Sequence, residues 1–195
     1  MKSSHLYRSF FSLGISKVIL LVSLFVLIGC GYKPSVQYIK NVVDGSVYVN
    51  VIVDPQEPEN AVYVKDALHQ MVLKRFKGSI ASKEEAENII TASYMGTTFN
   101  PISYSNGYIT RYRADVKMNF VMKTKKGVYR RSIRGYVEED IQESSKLSSS
   151  LRTEAIRTGM TKALDQFLAY VSTQGVIVEE IRKEKEAKKN GASEK

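Results

Sequence analysis

The most reactive side chain in this sequence is the thiol of Cys30, the only cysteine present. Leu27-Ile28-Gly29 stands immediately before it, at the end of an apolar run that begins at Val18. Lys2, Arg8 and Lys17 precede that run, and no acidic residue occurs before Asp44. A basic start, a short apolar centre and a small residue at the cut together define a secretory signal peptide. Leu27-Ile28-Gly29-Cys30 also reads as a bacterial lipobox. In such a motif the thiol takes a diacylglycerol, the leader is cut off ahead of the cysteine, and the freed amine is acylated in turn. At about 0.8 kcal/mol per buried methylene, three acyl chains exceed what a stable membrane anchor requires. The apolar run is shorter than the roughly 20 residues that span a bilayer, so a leader is expected rather than a membrane-spanning helix. Residues 1–29 are therefore read as the leader, with the mature chain starting at Cys30. Gly31 and Tyr32 follow, without the aspartate that commonly retains enterobacterial lipoproteins at the inner membrane. The address leans to the outer membrane, with the chain on its periplasmic side.

Little else in the sequence is equipped for bond-making chemistry. Once the leader is gone, His69 is the one histidine left, and the cysteine is consumed by lipid. No glycine-rich phosphate loop and no metal-ligand spacing appears, so neither a metal nor a cofactor is expected. Carboxylates cluster at Glu84-Glu85-Glu87 and at Glu138-Glu139-Asp140, in polar stretches where solvated surface is the expected role. The chain is read as a binding or structural protein and not as an enzyme.

The informative feature is charge. The whole sequence carries a formal +9, of which the leader removes three. Between Tyr104 and Tyr136 stand Arg111, Arg113, Lys117, Lys123, Lys125, Lys126, Arg130, Arg131 and Arg134, against Asp115 alone among acids. Like charges directly opposite one another weaken a strand pair, so stacking them suggests an anion that compensates. A solvated edge that resists sheet-to-sheet aggregation is the competing explanation, and it suits the lysines at 125–126. Arginine's planar fork suits phosphate and carboxylate better. Arg111, Arg113, Lys117, Arg130, Arg131 and Arg134 are therefore the candidate anion contacts. An exported chain rarely meets nucleic acid, which leaves a phosphorylated glycolipid of the outer membrane or an acidic protein surface.

The elements that must position these residues follow from periodicity. Val47, Val49, Val51 and Val53 alternate with polar neighbours in a first strand that ends at Asp54-Pro55. Asn60 is a plausible cap for a helix carrying Val64, Leu68, Met71, Val72 and Phe76 on one stripe, with Gly78 as its stop. Ile89–Phe99 is β-branched and aromatic, Ser105-Asn106-Gly107 marks a hairpin turn, and Tyr108–Met122 alternates cleanly. Lys125-Lys126-Gly127 turns the chain into a strand from Val128 to Asp140, where Arg131 falls on the apolar phase and suggests a bulge or a strand end. An acidic, serine-rich loop leads to a second helix from Leu151 to Ser172, which Gln174-Gly175 is expected to end. The fold class is α+β: two helices on one face of a four-stranded, mostly antiparallel sheet, forming a two-layer sandwich. The expected organisation is a leader at 1–29, a lipidated tether at 30–46, the sandwich at 47–174 and a charged, frayed or disordered tail at 175–195.

A lipobox cysteine followed by Gly31-Tyr32, then strand, helix, a meander centred on Tyr104-Ser105-Asn106-Gly107 and Tyr112-Arg113-Ala114-Asp115-Val116, then a closing helix, resembles the LptE-like lipopolysaccharide-assembly lipoproteins. The resemblance covers about residues 29–172. It implies a sandwich that plugs a large outer-membrane β-barrel, the LptD-like lipopolysaccharide translocon. It also implies help in assembling that barrel and contact with lipopolysaccharide during delivery to the outer leaflet. The alternative is a pilot or regulatory lipoprotein of another envelope machine, such as a secretion channel or cell-wall synthesis.

Overall fold

The computed structural model describes residues 35–53, 58–141 and 147–192, all within one compact unit that begins at Ser35. The leader and Cys30 lie outside the described residues. The elements in chain order are α1 (Ser35–Lys40), β1 (Ser46–Ile52), α2 (Pro58–Met71), β2 (Ser79–Ile80), β3 (Asn88–Ser105), β4 (Tyr108–Thr124), β5 (Gly127–Asp140) and α3 (Ser149–Ala192). The strands form one sheet in the order β2-β1-β3-β4-β5. β1 pairs parallel with β2 and β3, and β3, β4 and β5 form an antiparallel meander. The two-layer α+β sandwich is as the periodicity predicts, with β2 as a fifth strand too short to leave a pattern.

One face of the sheet carries the core. Val47, Val49, Ile90, Ala92, Ala114, Val116, Met118, Phe120, Met122 and Ile133 are buried there. Against them pack Val64, Leu68 and Met71 of α2, and Ile156, Met160, Leu164, Phe167 and Val171 of α3. Phe120 and Phe167 stack at 4.4 Å between ring centroids, 9° from parallel, fixing α3 over β4. Full burial of side chains of this size contributes about 1.5–3 kcal/mol each, so the strand–helix contact dominates the fold's stability.

Four local expectations are corrected. Asn60 does not cap α2, because the helix already includes Pro58 and the Asn60 side chain is buried inside its first turn. Proline is well suited to that first turn, where its missing N–H costs nothing. At the far end the last turn widens into a π-helical turn, Val72–Phe76, and Lys77 rather than Gly78 takes the left-handed conformation (φ 56°). Gly78 N–H then donates to Val72 O at 3.1 Å. The stretch from Ser35 to Asp44 is no tether: α1 and the turn after it bury Ile39, Val42 and Val43 in the core. Finally, α3 does not stop at Gly175 but continues to Ala192. A Cβ at Gly175 would lie 1.9 Å from Tyr38 O, so the glycine makes room for α1 to cross α3 rather than ending it. Beyond Ile181 the helix is exposed on every side through Asn190 and carries the Lys183–Glu179 and Arg182–Glu186 pairs.

Candidate anion-contacting face

The second face of the sheet has no described helix packed over it, and strand phase sends most of the predicted cations to it. On β4 the buried residues are the even-numbered ones from Ala114 to Met122, which leaves Arg111, Arg113, Asp115 and Lys117 on the opposite side. The β4–β5 register is unbroken from Arg111↔Asp140 to Thr124↔Gly127, so neither the bulge nor the strand end expected at Arg131 is present. Neither is needed because Arg131 sits on the helix side of an edge strand, where its guanidinium lies 5.6 Å from the ring centre of Tyr170 on α3. Arg131 is thereby separated from the other five candidates.

The register also changes the electrostatics expected from composition. Arg111 faces Asp140, and Arg113 faces Glu138. Arg111 Nε donates to Asp140 Oδ1 at 2.6 Å, and Arg113 Nη2 donates to Glu138 Oε1 at 2.8 Å. The Asp140 carboxyl is held below the usual carboxylate range, first by that hydrogen bond, and the Arg111 guanidinium is correspondingly raised. The acidic triplet read as solvated surface is thus the end of β5, and two of its members neutralise the two arginines. Arg113 also lies 5.6 Å from the ring centre of Tyr136, which stands beside it on the exposed face.

Lys117 and Arg134 are different. They occupy directly opposed positions in the register, both are exposed, and no ion pair joins either to an acid among the described residues. They line a recess of about 410 Å³ together with Met95, Gly96, Thr97, Thr98, Asn100 and Asp115. The recess lies where β3 carries one extra residue between Tyr94 and Thr97, Gly96 takes φ +103° and the pairing with β4 slips. Such bulges re-aim neighbouring side chains and often sit beside functional sites. Asp115 contributes one negative charge to this recess, and its Oδ2 accepts a hydrogen bond from Asn100 Nδ2 at 3.1 Å. Two cations against one carboxylate, walled by threonine hydroxyls and an amide, suit a phosphate or carboxylate group. Arg130 extends the same face opposite Val121. At the β4–β5 turn, Lys125 pairs with Glu87 at 2.6 Å, and Lys126 Nζ donates to Asn41 O at 2.6 Å. Those lysines are structural clasps rather than free charge. Among the described residues, no group of His, Cys, Asp and Glu is placed to hold a metal ion.

The bulge at Met95–Gly96 was the part of this site that strand reading missed. Gly96 inside a β-branched run was its signal, since glycine in a strand interior often marks a bulge.

No protein-family model matches the sequence, and no curated protein matches it. Solved structures do. An uncharacterized lipoprotein B from Nitrosomonas europaea is 17% identical with a TM-score of 0.53, covering 77% of this chain and 96% of that one. The rare lipoprotein B from Shewanella oneidensis is 14% identical with a TM-score of 0.49, covering 68% of this chain and 98% of that one. A minor lipoprotein from Acinetobacter baumannii is 8% identical with a TM-score of 0.44, covering 68% and 94%. The first of these shows a shared fold, and none of them singles out lipopolysaccharide assembly. The sandwich is thus a fold shared with the Nitrosomonas europaea lipoprotein.

Proposed function

We propose that the protein is an outer-membrane lipoprotein, acylated at Cys30 on the periplasmic side, that plugs and helps assemble a β-barrel lipopolysaccharide translocon. Its open sheet face meets lipopolysaccharide as the glycolipid passes. The observation that supports this reading is the opposed Lys117–Arg134 pair in its polar recess, on the one face that no described helix covers. Two like charges at paired positions weaken a sheet unless something anionic relieves them. In an outer membrane the abundant molecule of that kind is a phosphorylated, carboxylated glycolipid. Arg130 adds a third cation to the same face, while Arg111 and Arg113 hold the end of β5 in place.

Depleting the protein in cells is expected to remove lipopolysaccharide from the surface, and crosslinking from membranes is expected to recover a large barrel protein. Normal surface lipopolysaccharide with failed secretion or cell-wall growth would assign the same fold to a pilot of another envelope machine. In vitro, Lys117→Glu with Arg134→Glu is expected to weaken lipopolysaccharide binding by tenfold or more, since a hydrogen bond to a charged group is worth about 1.5–3 kcal/mol. Arg111→Glu with Arg113→Glu is expected to loosen the β5 end first. Equal binding by the Lys117/Arg134 variant and the native protein would return the recess to ordinary surface.

A further inference from the structure

The longest stretch of the chain without charge includes the end of the β3–β4 hairpin. No Asp, Glu, Lys, Arg or His lies between Glu87 and Arg111, in a protein whose residues are 25% charged. β1 pairs with β3 only as far as Ser93, and β5 pairs with β4 only as far as Arg111. Beyond those points β3 pairs with β4 alone among the described strands up to the Asn106-Gly107 turn, where both residues take positive φ, and Ile141 N–H still donates to Thr110 O at the base. The tip presents Tyr104 and Tyr108 at 63% and 53% exposure, with Ile102 at 38% at its base, level with Arg111 and Tyr112. Two of its hydroxyls satisfy each other, Thr110 Oγ1 donating to Ser103 Oγ at 3.2 Å. Two strands alone are marginal in water, so exposed isoleucine and tyrosine on such a ribbon call for a surface that covers them.

The chain's address identifies that surface. The described fold starts at Ser35, and Lys126 at the β4–β5 turn hydrogen-bonds Asn41 O just after α1. The chain therefore enters the fold at the end of β4 opposite the tip, about 55 Å away at the usual rise per residue for the seventeen residues of this strand. Five peptide links join Cys30 to Ser35 and reach at most about 18 Å, so an acylated Cys30 keeps that end at the bilayer. A bilayer is the one partner an acylated chain always has within reach. Uncharged residues enter its interface without stripping water from an ion, and tyrosine, apolar in body and polar at the tip, concentrates at that depth.

We infer that, before it meets a barrel, the protein lies along its membrane, held at one end by the acyl chains of Cys30 and at the other by the β3–β4 tip, whose Ile102, Tyr104 and Tyr108 enter the headgroup–acyl boundary. The inference rests on the lipid anchor proposed above and not on the translocon.

The chain has no tryptophan, so one introduced tryptophan reports its own surroundings. Full-length protein carrying Tyr104→Trp is purified from membranes, its acyl chains are verified by mass, and it is reconstituted in phosphatidylethanolamine–phosphatidylglycerol vesicles. The expected result is blue-shifted emission that loses most of its intensity when the acyl chains are brominated near the headgroup, whereas Val62→Trp, 63% exposed on α2 and away from the anchored end, keeps a solvent-like spectrum. Solvent-like emission from the acylated Tyr104→Trp protein overturns the inference. So does a blue shift that appears only in native membrane fragments and not in lipid vesicles, which would place the tip on a protein. Absence of acyl chains would instead overturn the anchor, and the inference with it. Replacing Ile102 and Tyr108 by serine in the tryptophan variant is expected to restore the solvent-like spectrum. The native thermal midpoint of that variant is the check that it still folds.

Discussion

Gly135 and Gly159 meet where α3 crosses β5. A Cβ added to Gly135 would lie 1.9 Å from Gly159 O, and one added to Gly159 would lie 2.4 Å from Cγ2 of Val116. Neither backbone position needs a positive φ, so the requirement is one of space alone. Gly135→Ala is therefore expected to push α3 off the sheet and destabilise the fold by about 1–3 kcal/mol, the usual cost of overpacking. Thermal unfolding of the variant against the native protein measures it, and an unchanged midpoint would show that the helix shifts without loss. This contact could not be read from the sequence. Gly135 sits in the apolar phase of a strand and Gly159 inside a helical stripe, and each by itself looks like a weak residue for its element. The same blindness made Gly175 look like a helix stop, when its partner, the Tyr38 backbone, stands far away in sequence. Glycines that make room are legible only once the neighbour is known.

At the scale of elements, the strands were legible because the sheet buries one face only. The alternation from Ala114 to Met122 follows from that one-sided burial. What alternation could not supply was the register between β4 and β5, and the register decides which cations are neutralised. Placed as Arg111↔Asp140 and Arg113↔Glu138, the charges at this end bolt β5 to β4. The adjoining Ile141 N–H donates to Thr110 O at 2.9 Å, which closes the ladder there. The Asp140 carboxyl is depressed by Arg111, so what this pair contributes is present above the ordinary carboxylate range. It is lost as pH falls through the lowered value. A side-chain carboxyl titration by NMR is expected to place the Asp140 midpoint below about 3.9, the unperturbed value. Arg111→Ala is expected to return it there and to speed exchange of the Ile141 amide. Both charges are solvent-exposed, so added salt is expected to weaken the shift. A midpoint that ignores both the substitution and salt would mean that the pair does not form in solution. The short elements escaped for a different reason. α1 has six residues and β2 two, too few for any period to show, and both are held by what they pack against.

On the scale of the whole molecule, the two layers separate stability from recognition. The core lies between sheet and helices, while the uncovered face, the uncharged tip and the two charged pairs take no part in it. The N-terminal address, read from Cys30 and the run before it, is a matter of sequence and lies outside the described residues. Cys30→Ser tests that division. The substitution blocks acylation and changes none of the core residues described, and the isolated protein is expected to keep its thermal midpoint. In cells the outcome depends on the partner. A plug seated in a barrel is held by the surface around it, so the serine variant is expected to remain in the membrane fraction while the barrel is present. It is expected to become soluble in the periplasm when the barrel is depleted, because a bare sandwich has only the β3–β4 tip to hold it to lipid. Full release of the variant despite abundant barrel would show that the acyl chains, not the sandwich, carry the attachment. The open face would then work on whatever the membrane surface itself presents.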